Sequence, residues 1–357
     1  MRRTLVLLPI LLLGCGGGGS GSKGRATLAD LTSWPMKGVV TDLTADGQVV
    51  FGKVFPDTDY GYNAQGARWA LGPAEAIDLG DFVRATSITA ASADGSVLLG
   101  TAWELDGPFH TIVGPPKMVL INVSNAYTEV PLPEGITDAG PVDISADGSV
   151  VLGAFAASAM PLDTRPFVVR DGVATPLPLP EGVGSAPAVA ISADGRTVIG
   201  RVEDRPAIWV DGGQPQFLSE REGEATAVSA DGKVVVGVLR YPQERIRAFR
   251  WTSTGGTQVL DLGPGFTRRD SAAAVSGDGR TVLLSAFALP DGDEPILWRV
   301  GKGAKRLRDI LAAGGVDVSA YNLTAARLLS ADGKTIVGAG RTTNSMFVSG
   351  PWKVVLP

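Results

Sequence analysis

The chain has 357 residues, 44% hydrophobic and 19% charged, with one cysteine and one histidine. Thirty-two Lys and Arg oppose 37 Asp and Glu, a net charge of −5, and no block of basic residues stands in the body. That balance excludes the electrostatic footprint of a nucleic-acid binder and offers little to anionic lipid headgroups.

Arg2 and Arg3 precede an apolar run from Leu5 to Leu13. The run falls short of the roughly 20 residues that cross a bilayer and has the length and flanks of a signal-peptide core. Leu12-Leu13-Gly14-Cys15 follows directly. These four residues resemble the lipobox of bacterial lipoproteins. The resemblance implies that residues 1–14 are a signal peptide, that the Cys15 thiol takes a diacylglyceryl group, and that the new amine is then acylated. Two or three chains anchor a protein stably where one does not. A lone cysteine cannot form an internal disulfide, so it needs another explanation, and lipidation supplies one. Residues 15–25 then combine the lipidated cysteine with a flexible Gly/Ser tether, GGGGSGSKG over 16–24. Without Arg2 and Arg3 the balance is 30 − 37 = −7. Gly16, where many inner-membrane lipoproteins carry Asp, points to the outer membrane of a two-membrane cell, with the body facing the periplasm or the exterior.

Residues 26–357 are dominated by a repeat. LTADGQVVFG (43–52) recurs as ASADGSVLLG (91–100), ISADGSVVLG (144–153), ISADGRTVIG (191–200), VSADGKVVVG (228–237), VSGDGRTVLL (275–284) and LSADGKTIVG (329–338). The aspartates Asp46, Asp94, Asp147, Asp194, Asp231, Asp278 and Asp332 are spaced by 48, 53, 47, 37, 47 and 54 residues. Propeller blades of four strands repeat at about 40–50 residues. Each copy supplies a strand A before the Asp, such as Ala225–Val228, and a strand B after the Gly, such as Val234–Val236. A strand C follows, such as Arg247–Trp251, then a short strand D, such as Gln258–Gly263. Short strands rich in β-branched residues between regular turn signals mark an all-β fold. The expected fold is a seven-bladed β-propeller of four-stranded blades, with eight blades or a linear β-solenoid as competitors. One helical turn is expected near Leu307 to Ala313.

Ser-Ala-Asp-Gly reads as a hairpin turn in which Gly takes positive φ and Asp bonds the local backbone. The second glycine (Gly52, Gly100, Gly153, Gly200, Gly237, Gly338) closes strand B, where the backbone bends or passes close to a neighbour. Leu284 replaces it in the sixth copy. This unit, with Arg-Ala-Phe-Arg-Trp and a later Asp-Leu-Gly, resembles the bacterial extracellular HAF repeat and is similar to the Ser-Pro-Asp-Gly unit of TolB-like propellers. The resemblance implies a scaffold and no particular chemistry. Ring closure stays open: both Ala26–Leu31 and Trp352–Leu356 look like a strand D.

Sites are fewer. His110 alone cannot build a multi-His or Cys/His zinc centre, and no Gly-x-Ser-x-Gly elbow accompanies it. Asp57-Thr58-Asp59 and Asp291-Gly292-Asp293-Glu294 lack full calcium-loop spacing. No catalytic residue, metal or cofactor is therefore expected. Seven repeated aspartates argue for turn structure. Trp69, Trp209, Trp251 and Trp298 take equivalent strand C positions and read as packing residues. Phe55, Tyr60, Tyr62, Trp103, Phe109 and His110 fall in two long B–C connections and form the candidate binding face, since loops on rigid scaffolds carry function and aromatics make good anchors. The expected protein is a monomeric, membrane-tethered, non-enzymatic scaffold for a protein or glycan. An envelope assembly factor, or a glycan lyase or hydrolase using loop carboxylates, are the alternatives.

Overall fold

The structure, a computed structural model, describes residues 26–30, 37–55, 64–70, 75–80, 83–106, 111–156, 164–243, 245–263, 270–288, 292–319, 321–342 and 349–357. Cys15, Tyr60, Tyr62, Phe109 and His110 lie outside them. The described strands form seven antiparallel sheets of four, each built outward from strand A to strand D. Blade 1 is Lys37–Leu43, Val50–Phe55, Gln65–Trp69 and Glu75–Ala76. Blade 2 is Val83–Ala91, Val97–Asp106, Thr111–Asn122 and Tyr127–Glu129. Blade 3 is Ala139–Ile144, Val150–Ala156, Thr164–Arg170 and Val173–Pro176. Blade 4 is Ala188–Ile191, Thr197–Val202, Arg205–Val210 and Gln216–Phe217. Blade 5 is Gly223–Val228, Val234–Tyr241, Arg245–Thr252 and Gly256–Val259. Blade 6 is Asp270–Val275, Thr281–Ala288, Gly292–Arg299 and Gly303–Arg306. Blade 7 is Tyr321–Leu329, Thr335–Thr342 and Ser349–Val355, completed by the N-terminal strand Thr27–Asp30. The chain is a seven-bladed β-propeller.

The last blade settles the closure. Thr27 stands opposite Val355 and Asp30 opposite Trp352, so the N-terminal segment is the outer strand D. Trp352 also faces Gly338 of strand B. Ser349–Val355 is therefore strand C, and the strand-D resemblance of Trp352–Leu356 is corrected. The first and last described strands meet in one sheet, which ties the ring shut. The expected helical turn is a single short helix, Leu307–Ala313, between blades 6 and 7.

The repeated turn shows why these four residues recur. In blade 5 the Ser229 hydroxyl donates to Asp231 Oδ1 at 2.7 Å, and the same oxygen accepts from the Lys233 N–H at 3.0 Å. Ser229 Oγ in turn accepts from the Val234 N–H at 2.9 Å. The Gly232 N–H closes the turn on Ser229 O at 3.0 Å. Ser is buried in six copies and Thr44 takes its place in the first, so the hydroxyl–carboxylate pair satisfies donors that burial would otherwise strand. Gly232 sits at φ +70°, and a Cβ there would stand 2.3 Å from Thr197 Oγ1 of the preceding blade. Its glycine is demanded twice, by backbone and by the neighbour.

The alanine of the turn joins blades. The Ala45 N–H donates to Ala93 O (2.8 Å), Ala93 to Ala146 (2.8 Å), and Ala146 to Ala193 (2.9 Å). Ala230 donates to Gly277 (3.0 Å), Gly277 to Ala331 (2.8 Å), and Ala331 back to Ala45 (2.9 Å). These six bonds link neighbouring turns around the axis, with no such bond among the described residues from Ala193 of blade 4 to Ala230 of blade 5. The turn is thus both a hairpin and a link in the ring.

Strand A carries a bulge at the same place in every blade, for example between Val40 and Asp42 and between Ala225 and Ala227. The bulge pushes its carbonyl over strand B. A Cβ on Gly52 would lie 2.0 Å from Val39 O, and one on Gly237 2.1 Å from Glu224 O. The second glycine therefore sits within strand B rather than closing it, and close approach is its reason. The core lies between blades: Ile199 and Ile208 of blade 4 pack on Leu239 and Phe249 of blade 5. Trp69 and Trp209 are fully buried packing residues, while Trp251 and Trp298 are half-buried in the same register. At roughly 25 cal/mol per Å² of apolar surface, such rings are the largest single contributors to blade packing.

Candidate functional site

The two faces of the ring differ. Every A–B connection carries the same turn, five residues between strands in blades 2 to 7 and six in blade 1. These turns lie on one face with the C–D turns, which run from two residues in blade 3 to five in blades 1 and 4. The other face carries the B–C and D–A connections, and these vary. The B–C link runs from Val202 to Arg205 in blade 4 but from Phe55 to Gln65 in blade 1 and from Ala156 to Thr164 in blade 3. In blade 4 that link places Glu203 and Asp204 at φ 48° and 60°, and in blade 5 it places Gln243 at 64°. Non-glycine residues there hold the backbone in a costly conformation.

Of the six aromatic and histidine candidates, two are described. Phe55 ends strand B of blade 1, with Lys53 Nζ 5.6 Å from its ring centre. Trp103 was expected in a loop and instead lies within strand B of blade 2, opposite Arg84. It is half-buried at the point where the register with strand C breaks, between Ala102 and Glu104. The cause is the Gly114-Pro115-Pro116 run, which cannot continue the ladder, so strand B extends past it to pair Leu105 with Ile112. At its start strand C exposes Ile112 and Val113. Lys117 pairs with Glu104 (2.6 Å) and Glu129 (2.7 Å), both exposed pairs of small energetic weight.

The turn aspartates are structural. Their serine or threonine hydroxyls hold the carboxyls of Asp46, Asp147, Asp231 and Asp278 below the usual range, Asp147 at about 2. In Asp94 the backbone N–H of Ser96 is the leading cause.

Two other carboxylates were not singled out from the sequence. Asp42 and Asp143 stand two residues before the turn hydroxyl on the innermost strands of blades 1 and 3. Ala90, Ala190, Ala227, Ala274 and Leu328 hold that place elsewhere. Asp42 Oδ1 accepts from the Leu43 N–H at 2.8 Å, and Oδ2 from the Ala91 N–H of blade 2 at 2.7 Å. Asp143 repeats this, with Ile144 N–H at 2.8 Å and Ile191 N–H of blade 4 at 2.8 Å. Each carboxylate is thus a clasp between blades at the axis. Desolvation pushes Asp42 up to about 7, helped by the charge of Asp143, and pushes Asp143 up to about 6. The departure from alanine in an otherwise regular column was the available signal.

A third cluster joins blades 5 and 6. Asp270 is buried against Arg247, whose Nε lies 3.0 Å from Oδ1, and Asp270 Oδ2 accepts from the Ala248 N–H at 3.2 Å. Burial raises the Asp270 carboxyl and Arg247 only partly offsets it. Glu294, also buried, lies 3.3 Å from Arg306 Nε and 2.6 Å from Arg308 Nε. Among the described residues no three His, Cys, Asp or Glu side chains group as a metal site, and no helix is long and apolar enough to cross a membrane.

No protein-family model and no curated protein matches the chain. Solved structures do. The oligogalacturonate lyase VPA0088 of Vibrio parahaemolyticus superposes with TM-score 0.59 at 12% identity, over 92% of this chain and 93% of that one. The β-propeller domain of the Trilobed protease of Pyrococcus furiosus gives 0.58 at 10% identity, over 88% and 95%. A putative TolB of Agrobacterium tumefaciens gives 0.42 at 15% identity, over 59% and 72%. The likeness is one of fold. The Trilobed propeller is described as having an open velcro topology, whereas here the N-terminal strand pairs with the last C-terminal one.

Proposed function

We propose that the chain is a cell-envelope lipoprotein, lipidated on Cys15, whose HAF-type propeller is a non-enzymatic scaffold that binds protein or glycan through the face of B–C and D–A connections. One observation carries this reading: the seven A–B connections of one face are copies of a single turn, while the longest B–C and D–A connections, such as Phe55 to Gln65 in blade 1 and Pro176 to Ala188 after blade 3, lie on the other face. A rigid frame with one variable face is the arrangement on which binding sites are built. The leader and the lone Cys15 support the tether. Outer-membrane placement rests on Gly16.

A second reading, a glycan-active enzyme, draws on Asp42 and Asp143, two carboxylates on the innermost strands that burial pushes up. Their four oxygens are already engaged by four backbone N–H groups, which favours the role of clasp. Substituting Phe55 and Trp103 together by Ala tests the scaffold reading. Binding to crosslinked envelope partners falls while the ring remains folded. Unchanged capture contradicts it, and turnover of an envelope glycan lost in Asp42→Ala would favour the enzyme.

A further inference from the structure

Residues 240–308, most of blades 5 and 6, hold 12 Lys and Arg and 7 Asp and Glu, a balance of +5, while the rest of the chain stands at 20 − 30 = −10. Within this basic sector, at the B–C turn of blade 5, a crevice of about 550 Å³ is lined by Tyr241, Pro242, Gln243, Arg245, Arg247 and Val259. That volume suits a ligand of one or two sugar rings, at the lower part of the range for small-molecule sites.

The two arginines of the crevice differ. Arg247 is spent on the fold: Nε meets Asp270 and Nη2 donates to Leu260 O at 3.0 Å. Arg245 is half-buried, and among the described residues no acid or carbonyl meets its guanidinium. Asp270, the acid that Arg247 reaches, is already held by it. The wall adds positive charge, because the Arg221 guanidinium stacks 4.5 Å over the Tyr241 ring. Pro242 and Val259 are apolar, and Tyr241 offers a ring edge and a hydroxyl. Gln243 brings an amide from a left-handed backbone position at the rim.

We propose that this crevice binds a carboxylate carried on a sugar-sized ring, with Arg245 pairing to the carboxylate. A guanidinium presents two parallel N–H donors to a carboxylate, a geometry that an ammonium does not reproduce. The inference rests on the scaffold reading only in treating this face as the binding face, and a defined ligand tests the crevice by itself. Calorimetric titration of the folded body with sodium glucuronate, against neutral glucose, is the experiment. Glucuronate should bind at least about tenfold more tightly than glucose, and Arg245→Gln should cost about tenfold to a hundredfold in glucuronate affinity. Arg245→Lys should fall between, and Lys302→Gln, on the turn face, should change nothing. Thermal melting of each variant checks that the ring is intact. Equal binding of glucose and glucuronate, absence of glucuronate binding, or wild-type affinity in Arg245→Gln would overturn the proposal. Tighter binding of a tetraglutamate peptide through Arg245 would overturn the sugar-sized ligand in favour of an acidic peptide. Loss of partner capture in the Phe55/Trp103 variant is a separate result and stands whichever way the titration falls.

Discussion

Asp42→Ala installs the residue that blades 2, 4, 5 and 6 carry at the same place, so it perturbs the clasp without a foreign side chain. The carboxyl titrates near 7 in the ring and at 3.8 in the unfolded chain. Each unit of difference is about 1.4 kcal/mol, so the ionised group burdens the fold by about 4 kcal/mol at most. By surface area the side chain is only half-buried, which screens the charge, and about 2–4 kcal/mol is the working range. Below 3.8 both states are protonated and the clasp is free of this burden. As pH rises the unfolded state ionises first, and stability drains until pH passes 7. Alanine lacks this dependence but leaves the Leu43 and Ala91 N–H groups without their acceptor, at about 1 kcal/mol each. Urea unfolding at a series of pH values from 4.5 to 8 reads the difference. Wild type should be the more stable at pH 4.5, and the variant should draw level or lead by pH 8. A stability difference that stays flat across the series would refute the raised pKa and the desolvated channel with it.

Gly232→Ala forces a Cβ against Thr197 at positive φ and should cost about 2–4 kcal/mol by chemical denaturation, while Gly256→Ala, at positive φ in open space, should cost about 1. Arg247→Met strands the buried Asp270 carboxylate and should destabilise by about 3–5 kcal/mol at pH 7, with part of the loss recovered by adding Asp270→Asn. Removing residues 26–30 deprives blade 7 of its outer strand and the core of Ala26 and half-buried Leu28, so Tm should fall by several degrees. Cys15→Ser should move the protein from the membrane to the soluble fraction, and retention in the membrane would contradict lipidation.

The blade count was legible because one turn recurs seven times and its hydroxyl, carboxylate and glycine each have a fixed task. Strand order within a blade followed from short apolar runs between turns. The closure was not legible, since Trp352 occupies strand C in a blade whose strand D comes from the far end of the chain, and no local pattern records a pairing across more than 300 residues. Trp103 was misplaced because its loop-like neighbourhood, with Gly114-Pro115-Pro116 soon after, is a break in register and leaves strand B intact. Asp42 and Asp143 lie outside the repeated turn and carry no local pattern of their own. Their meaning lies in departing from the repeat, and only the ring shows that the column they occupy lines the axis. Arg245 looks like any strand arginine until Arg247 is seen to be paired while Arg245, among the described residues, meets no acid.

The division of labour between the faces is open to one direct measurement. A photo-crosslinking amino acid is placed at Trp103 or Gln243 on the variable face, and at Gln48 or Lys302 on the turn face, in the full-length protein in cells. Adducts should form from the variable face and be missing from the turn face. Adducts from Gln48 and Lys302, with none from Trp103 and Gln243, would contradict the account.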